Sequence, residues 1–224
     1  GKHLAMLSGC LVNNMNTKNY LEMDHPYQEI IRNYLEYFTE TKILDKQKGV
    51  DGCSAPQYSF PLNNLAVAMI NLIKHYRETN KYTDEIRILL RAIEKFPQLT
   101  GSKSIYPIQI MTATNGKIFS KGGAEGVLLF ANKEKKVGGV IKVKDGNERA
   151  LPSIANAIFK KLKILNKNEL KKLAMWNNEI IYNHAKKEVG KIYTEIKWII
   201  LKTIIAVTGI LTFNKKFFSL KLYL

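Results

Sequence analysis

One stretch of the chain gathers unlike chemical groups at close quarters: Ser120-Lys121-Gly122-Gly123-Ala124-Glu125-Gly126-Val127. Its glycines let the backbone come close to a ligand, because no Cβ stands in the way. Lys121 supplies a positive charge, or a neutral base where desolvation lowers its pKa. Taken alone, the local sequence reads first as a glycine-rich corner before a strand, with Lys121 solvated. A second compact stretch, Gly49-Val50-Asp51-Gly52-Cys53-Ser54-Ala55-Pro56, wraps turn residues around a thiol. A thiolate is a good zinc ligand, but one cysteine does not make a site. A third feature is Gly1-Lys2-His3, which opens a helical pattern. Free N–H groups at a helix start favour anions, so a lysine there is locally ill-placed and asks for a partner or a job. Cys10 lies among Leu7, Leu11 and Val12, where packing explains it. His75 and His184 have no paired ligand at recognisable spacing. No Walker A loop, dinucleotide fingerprint, His-Glu-x-x-His or Gly-x-Ser-x-Gly pattern occurs.

The elements that must position these groups are legible from apolar spacing. Leu4, Leu7, Leu11, Val12 and Met15 predict an amphipathic helix that ends in an Asn-rich turn. Asp24-His25-Pro26 starts a second helix, with Pro26 at its first position, His25 as cap or packing residue, and Ile30, Ile31, Tyr34, Leu35 and Phe38 inward. Leu62, Leu65, Met69, Leu72, Ile73 and Tyr76 give a third helical face. A fourth begins near Thr83, carries Ile86, Leu89, Leu90 and Ile93 inside, and stops at Pro97. Pro107 and Asn115-Gly116 predict a short strand pair across Ile108 to Ile118. Leu128 to Ala131 and Val137 to Lys144 read as a strand and its return. A last helix buries Ile154, Ile158, Leu162 and Leu165, and a final segment runs around Ile180 to Ile192. The expectation is a mixed α and β (α+β) domain over residues 1–196 with no internal repeat. Residues 197–224 form an apolar and basic tail. Its run 198–213 has one charge but falls short of the ~20 apolar residues of a spanning helix, so a buried or disordered extension is expected over a membrane contact.

The chain has 224 residues, 46% hydrophobic and 10% aromatic, enough for a real core. Its net charge of +16 first suggests nucleic acid or an anionic membrane. Yet 30 of the 35 basic residues are lysine, spread over almost the whole length. Arginine dominates base-edge and bidentate phosphate recognition. The charge therefore reads as composition bias plus solvated faces, and nucleic acid is not favoured. Two cysteines make no disulfide framework, so a reduced, cytoplasmic setting is expected.

Taken together, the short motifs resemble the thermolabile, Rhizobium-type L-asparaginase (asparaginase II) family. Gly1-Lys2-His3 matches the last three positions of a Cys-Ser-Gly-Lys-His segment, and His25-Pro26-Tyr27-Gln28 a His-Pro-x-Gln element. Asp51-Gly52-Cys53-Ser54-Ala55-Pro56 matches an Asp-Gly-Cys-x-x-Pro-like turn, and Lys121 to Gly126 a Lys-x-Gly-Ala-Glu-Gly segment. Lys142-Val143-Lys144-Asp145-Gly146-Asn147-Glu148-Arg149-Ala150 matches a further segment, and Asn183-His184 to Val189-Gly190 resembles the closing one. The likeness covers about residues 1 to 196, in the family's order.

The resemblance implies a serine β-lactamase/penicillin-binding-protein-like fold, incomplete here, with a sheet packed by helices. It implies conversion of L-asparagine to L-aspartate and ammonia through Ser–Lys chemistry and an acyl-enzyme. Lys121 is then the catalytic lysine, and Lys121-Gly122-Gly123 stands where that superfamily has a Lys-Thr-Gly-like element. Gly122, Gly123, Ala124, Glu125, Asp51 and His3 become candidates for binding or orienting substrate. Zinc falls to Lys2 and Cys53, with a second cysteine before residue 1, and the family implies a homodimer. A ligating lysine must be neutral. The sequence departs in three places: no Ser-x-x-Lys occurs, Ile105-Tyr106-Pro107 stands where the family has an Arg- and Thr-containing segment, and the apolar tail follows residue 196. The expectation is an inactive fragment or pseudoenzyme. A basic, non-catalytic binding module for a membrane surface or nucleic acid, and a β-lactamase-like enzyme acting on another amide, are the competing readings.

Overall fold

The computed structural model describes residues 1–102, 105–177, 179–195, 204–207, 210–213 and 221–223. Its contacts gather into two compact units, Gly1–Ala68 and Met69–Leu224. The fold is mixed α and β, with small antiparallel sheets and helices.

In the first unit, helices α1 (Lys2–Val12) and α2 (Pro26–Thr39) pack together. The His-Pro-x-Gln element makes that contact. The Nδ1 atom of His25 accepts the Tyr27 backbone N–H at 3.0 Å, capping α2, and its Nε2 lies 2.9 Å from the Asn16 carbonyl. The ring is therefore neutral with its proton on Nε2, since Nδ1 must accept. The Tyr27 ring fills the space a side chain would need at Gly9. Gln28 is buried and donates to the Tyr20 carbonyl at 2.6 Å and to the Met6 sulfur at 3.3 Å. After α2, strands β1 (Lys48–Val50) and β2 (Pro56–Tyr58) form a two-stranded hairpin, with Gly49 opposite Gln57. The boundary between the units falls within helix α3 (Leu62–Arg77).

The second unit is built on an antiparallel meander: β3 (Ile118–Gly123), β4 (Val127–Asn132) and β5 (Val137–Lys142), in that order. Helix α5 (Tyr106–Ala113) leads into β3, and helix α6 (Leu151–Lys161) brings Phe159, fully buried, edge-on to Phe130 with ring centroids 4.9 Å apart. Ile110, Ile118, Leu128, Ile154, Phe159 and Ile164 lie in one core cluster. A polar link runs through it: the Tyr106 hydroxyl donates to Asn156 Oδ1 at 2.5 Å, and burial pushes the phenol well above its usual range. Helices α4 (Thr83–Lys95) and α7 (Lys167–Lys172) and strands β6 (Glu179–Tyr182) and β7 (Glu188–Glu195) complete the pattern, with β6 and β7 antiparallel. Further on, β8 (Ile204–Val207) pairs with β9 (Ile210–Phe213), and β10 (Lys221–Tyr223) with β7. The rest of the apolar run 198–213 lies outside the described residues. Among the described residues no helix is long and apolar enough to cross a membrane.

Helices α1 to α4 and α6 fall where apolar spacing puts them, but some of the faces do not. Leu4, Leu11 and Val12 are exposed (70%, 68% and 82%), and α1 instead buries Met6, which meets Gln28 of α2, and Cys10. Leu89 is exposed at 51%, while Ile86 and Leu90 are buried. The strand pair expected across Ile108 to Ile118 is replaced by α5. Pro107 sits in the first turn of that helix, where a missing N–H costs nothing. Asn115 and Gly116 do adopt positive φ (48° and 71°), but they join a helix to a strand, not two strands. The glycine-rich stretch also divides differently: Lys121, Gly122 and Gly123 lie on β3, and Ala124 to Gly126 alone make the turn.

Close approach matters most at Gly138. A Cβ there would stand 2.7 Å from the Ile70 nitrogen and 2.8 Å from the Met69 carbonyl carbon, both backbone atoms of α3. Gly138→Ala should destabilise the protein by about 1–3 kcal/mol through overpacking. Urea unfolding checks this: a lowered midpoint with an unchanged slope is expected, and an unchanged midpoint refutes the tight contact.

Candidate functional site

All the sequence-derived site residues except His3 fall into one cluster in each unit. In the first unit, Asp51 closes the β1–β2 turn. Its N–H donates to the Ala55 carbonyl at 2.8 Å, and its own carbonyl accepts from the Ser54 N–H at 2.8 Å. Ser54 takes φ 68° to complete the bend. The Asp51 carboxylate then serves three donors. Oδ1 accepts the Gly52 N–H at 2.8 Å, and Oδ2 accepts the Lys2 ammonium at 2.8 Å and the Cys53 thiol at 3.5 Å. The partner that Lys2 lacks in its own helix is thus Asp51, 49 residues away.

These contacts set the charges. The Lys2 ammonium, followed by the Gly52 N–H, holds the Asp51 carboxyl below its usual range. The hydrogen bond to Asp51, followed by that to Cys53, holds Lys2 above its usual range. Amine, carboxylate and thiol therefore converge at the β1–β2 turn. Thiolate and neutral amine suit zinc as a donor pair, but they leave a four-coordinate ion short of ligands, and Lys2 keeps its proton until a metal displaces it. Among the described residues no group of three or more His, Cys, Asp or Glu side chains could hold a metal ion. His3 does not join this cluster. Its Nδ1 lies 2.8 Å from the Tyr20 hydroxyl, and the two rings meet edge-on. Tyr20 had no signal in the sequence, because only the fold of the loop after α1 brings it to His3.

In the second unit, Lys121 lies on β3 opposite Leu129, and its neighbour Ser120 lies opposite Phe130. The pleat sends the two side chains to opposite faces. Ser120 is buried, with Oγ 3.3 Å from the Leu129 carbonyl, whereas Lys121 is exposed and donates to the Gly122 carbonyl at 2.5 Å. Gly122 passes Pro107 so closely that a Cβ would lie 3.3 Å from the proline ring. Pro107 is therefore a neighbour of the lysine hairpin, 14 positions before Lys121, that the sequence did not reveal. Ala124 and Glu125 form the tip, with Glu125 at φ 60°. The Glu125 carboxylate fills the space beside Gly146, and Lys142 donates to the Glu125 carbonyl at 2.6 Å. Val143 donates to the Gly126 carbonyl at 2.8 Å, and Arg149 pairs with Asp145 at 3.0 Å. Two motifs some 20 residues apart, Lys121 to Gly126 and Lys142 to Ala150, thus form a single corner.

Fold and clusters together define a mixed α/β protein with two lysine-centred polar sites, one beside a thiol and one on a glycine hairpin. The family model described as L-asparaginase II matches residues 1–194, and the chain belongs to that family. Among curated proteins no relative matches the chain.

The Lys2–Asp51 pair has a defined pH window. The depressed Asp51 pKa adds stability above the ordinary carboxyl pKa and loses it as pH falls through the lower folded value. The raised Lys2 pKa adds stability below the ordinary lysine pKa and loses it as pH rises through the higher folded value. Both terms are present across the neutral range. In chelator-treated protein, an NMR titration of the Lys2 side chain should move to lower pH on Asp51→Asn. An unmoved titration would show that the ion pair does not form in solution.

Proposed function

We propose that the chain carries the lysine half of an L-asparagine amidohydrolase, with L-asparagine as substrate and L-aspartate and ammonia as products. The carrying observation is the family match over residues 1–194, which spans both clusters. The three-stranded meander under α6 supports a serine β-lactamase/penicillin-binding-protein-like reading, in which Lys121-Gly122-Gly123 occupies a strand beside the reacting amide.

In that chemistry a serine oxygen adds to the side-chain amide carbon of asparagine. Lys121 takes the serine proton or polarises the hydroxyl, and the proton passes to the departing nitrogen as the C–N bond breaks. Water then cleaves the acyl ester and frees aspartate. The glycine backbone at 122 and 123 allows substrate close to the strand, and the exposed tip at Ala124 and Glu125 borders it. Ser120 cannot serve as nucleophile for Lys121, because it is buried on the other face of β3. No Ser-x-x-Lys occurs in the sequence. The isolated chain is therefore a binding frame without turnover.

Zinc, when bound, would take the Cys53 thiolate and the Lys2 amine, with Asp51 orienting Lys2 and giving up the proton contact. It would supply a Lewis-acidic charge at the β1–β2 turn. His3 would orient through Tyr20.

Two measurements test this reading. Purified chain with L-asparagine should release no ammonia above buffer, whereas turnover near the typical enzyme range of about 1–10³ s⁻¹ would overturn the inactivity. In the same sample L-asparagine should shift the amide resonances of Gly122 to Glu125, and Lys121→Ala should abolish the shift. No perturbation there would remove the substrate assignment. For the metal, zinc should bind weakly and be lost on dialysis. Stoichiometric zinc that survives dialysis and disappears in Cys53→Ala would show a site completed by further donors.

A further inference from the structure

A cleft of about 550 Å³ lies at the other end of β3, beside Lys117, which precedes the strand. Lys117 and Lys121 are four residues apart, or about 13 Å along a strand, so this cleft is separate from the Lys121 corner. Its size falls within the range of small-molecule sites. The wall is made of two ion pairs. Lys117 bonds both oxygens of Glu169 at 2.6 Å, with side chains only 13% and 11% exposed. Lys133, 10% exposed, bonds Glu94 at 2.5 Å. The Lys133 N–H donates to the Lys117 carbonyl at 2.9 Å, so two like charges stand side by side across the strands. That arrangement is unfavourable by itself, and each charge is cancelled by its own carboxylate. The wall is neutral, polar and fixed.

The rim differs. Arg77, at the end of α3, uses Nη1 to hold the Lys133 carbonyl at 2.6 Å and the Glu134 carbonyl at 3.2 Å. Its guanidinium has no carboxylate within 4 Å among the described residues, and the Glu134 carboxylate has no cation. One positive and one negative residue thus line the same cleft without forming an ion pair with each other. Anchoring of α4 and α7 to the sheet accounts for the two ion pairs. It leaves the remaining donors of Arg77 and the Glu134 carboxylate without a task.

We propose that this cleft binds a small zwitterion of the α-amino-acid class, with its carboxylate on the Arg77 guanidinium and its ammonium on Glu134. A planar guanidinium suits a carboxylate through two parallel N–H bonds. A simple anion would meet Arg77 but also the Glu134 charge lining the same cleft. The adjacent charges of a zwitterion answer both. This site lies beyond the amidohydrolase reading and does not depend on it.

The test uses the full chain and three probes: glycine, acetate and methylamine. Glycine at millimolar concentration should shift the amides of Arg77, Lys133 and Glu134. Acetate and methylamine should each bind at least tenfold more weakly. Arg77→Gln and Glu134→Gln, checked for folding by circular dichroism, should each weaken glycine about tenfold, while Lys121→Ala leaves it unchanged. The proposal is overturned if these amides do not move at about 50 mM glycine, far above a millimolar Kd. It is equally overturned if acetate matches glycine and Glu134→Gln has no effect, which would make the cleft a plain anion site. Loss of binding in Lys121→Ala would assign the shifts to the other corner.

Discussion

The register of β3 against β4 is the constraint on which the second unit rests. Pairing Ser120 with Phe130 and Lys121 with Leu129 assigns every side chain of the hairpin to a face. Ile118 and Ser120 go inward, both essentially without exposure, and Lys121 goes outward. A slip of one residue would bury the lysine and expose the isoleucine. The cost of burying an unpaired ammonium fixes the register as firmly as the gain from burying Ile118 does. On the other side of the meander, Gly138 admits the α3 backbone, and Gly139 admits the Phe130 ring that meets Phe159. The core and the presentation of Lys121 are therefore consequences of one pairing.

Asp51 has the corresponding place in the first unit. A short turn delivers its carboxylate to the Gly52 N–H, the Cys53 thiol and the Lys2 ammonium. The helix that carries Lys2 is held in turn by the neutral His25 ring, by Tyr27 against Gly9 and by the buried amide of Gln28. The His-Pro-x-Gln element thus acts on the thiol cluster through packing, with no atom in the cluster itself. Exposed as the Lys2–Asp51 pair is, it contributes little stability. Its consequence is chemical: it keeps an amine and a thiol within reach of one another.

Polar groups in the second unit do more structural work than a +16 charge would suggest. Lys117 with Glu169 and Lys133 with Glu94 tie the sheet to α7 and α4. Such pairs are costly to bury and weak as evidence for stability. They do specify which helix meets which strand, because a misplaced helix would leave the largely buried Lys117 or Lys133 ammonium unpaired.

The sequence by itself determined helices α1 to α4 and α6, the strands β4 and β5 and the short motifs that mark the family. Apolar period, Pro26 at a helix start and the Asp51, Lys121 and Asp145 motifs are local signals, and local signals survive without coordinates. Family membership was readable for the same reason, since it rests on short motifs in order. Tertiary structure decided the rest. Which face of α1 is buried depended on α2 meeting Met6 and Gly9, although Leu4, Leu11 and Val12 are the more apolar residues. Pro107 and Asn115-Gly116 fit a hairpin or a helix-to-strand corner equally well, and the packing of Tyr106, Ile110 and Met111 selected the helix. The links from Lys2 to Asp51, His3 to Tyr20 and Lys117 to Glu169 span 49, 17 and 52 positions. A lysine in a sequence does not say which carboxylate it will meet, because that choice is made by the closure of loops between elements.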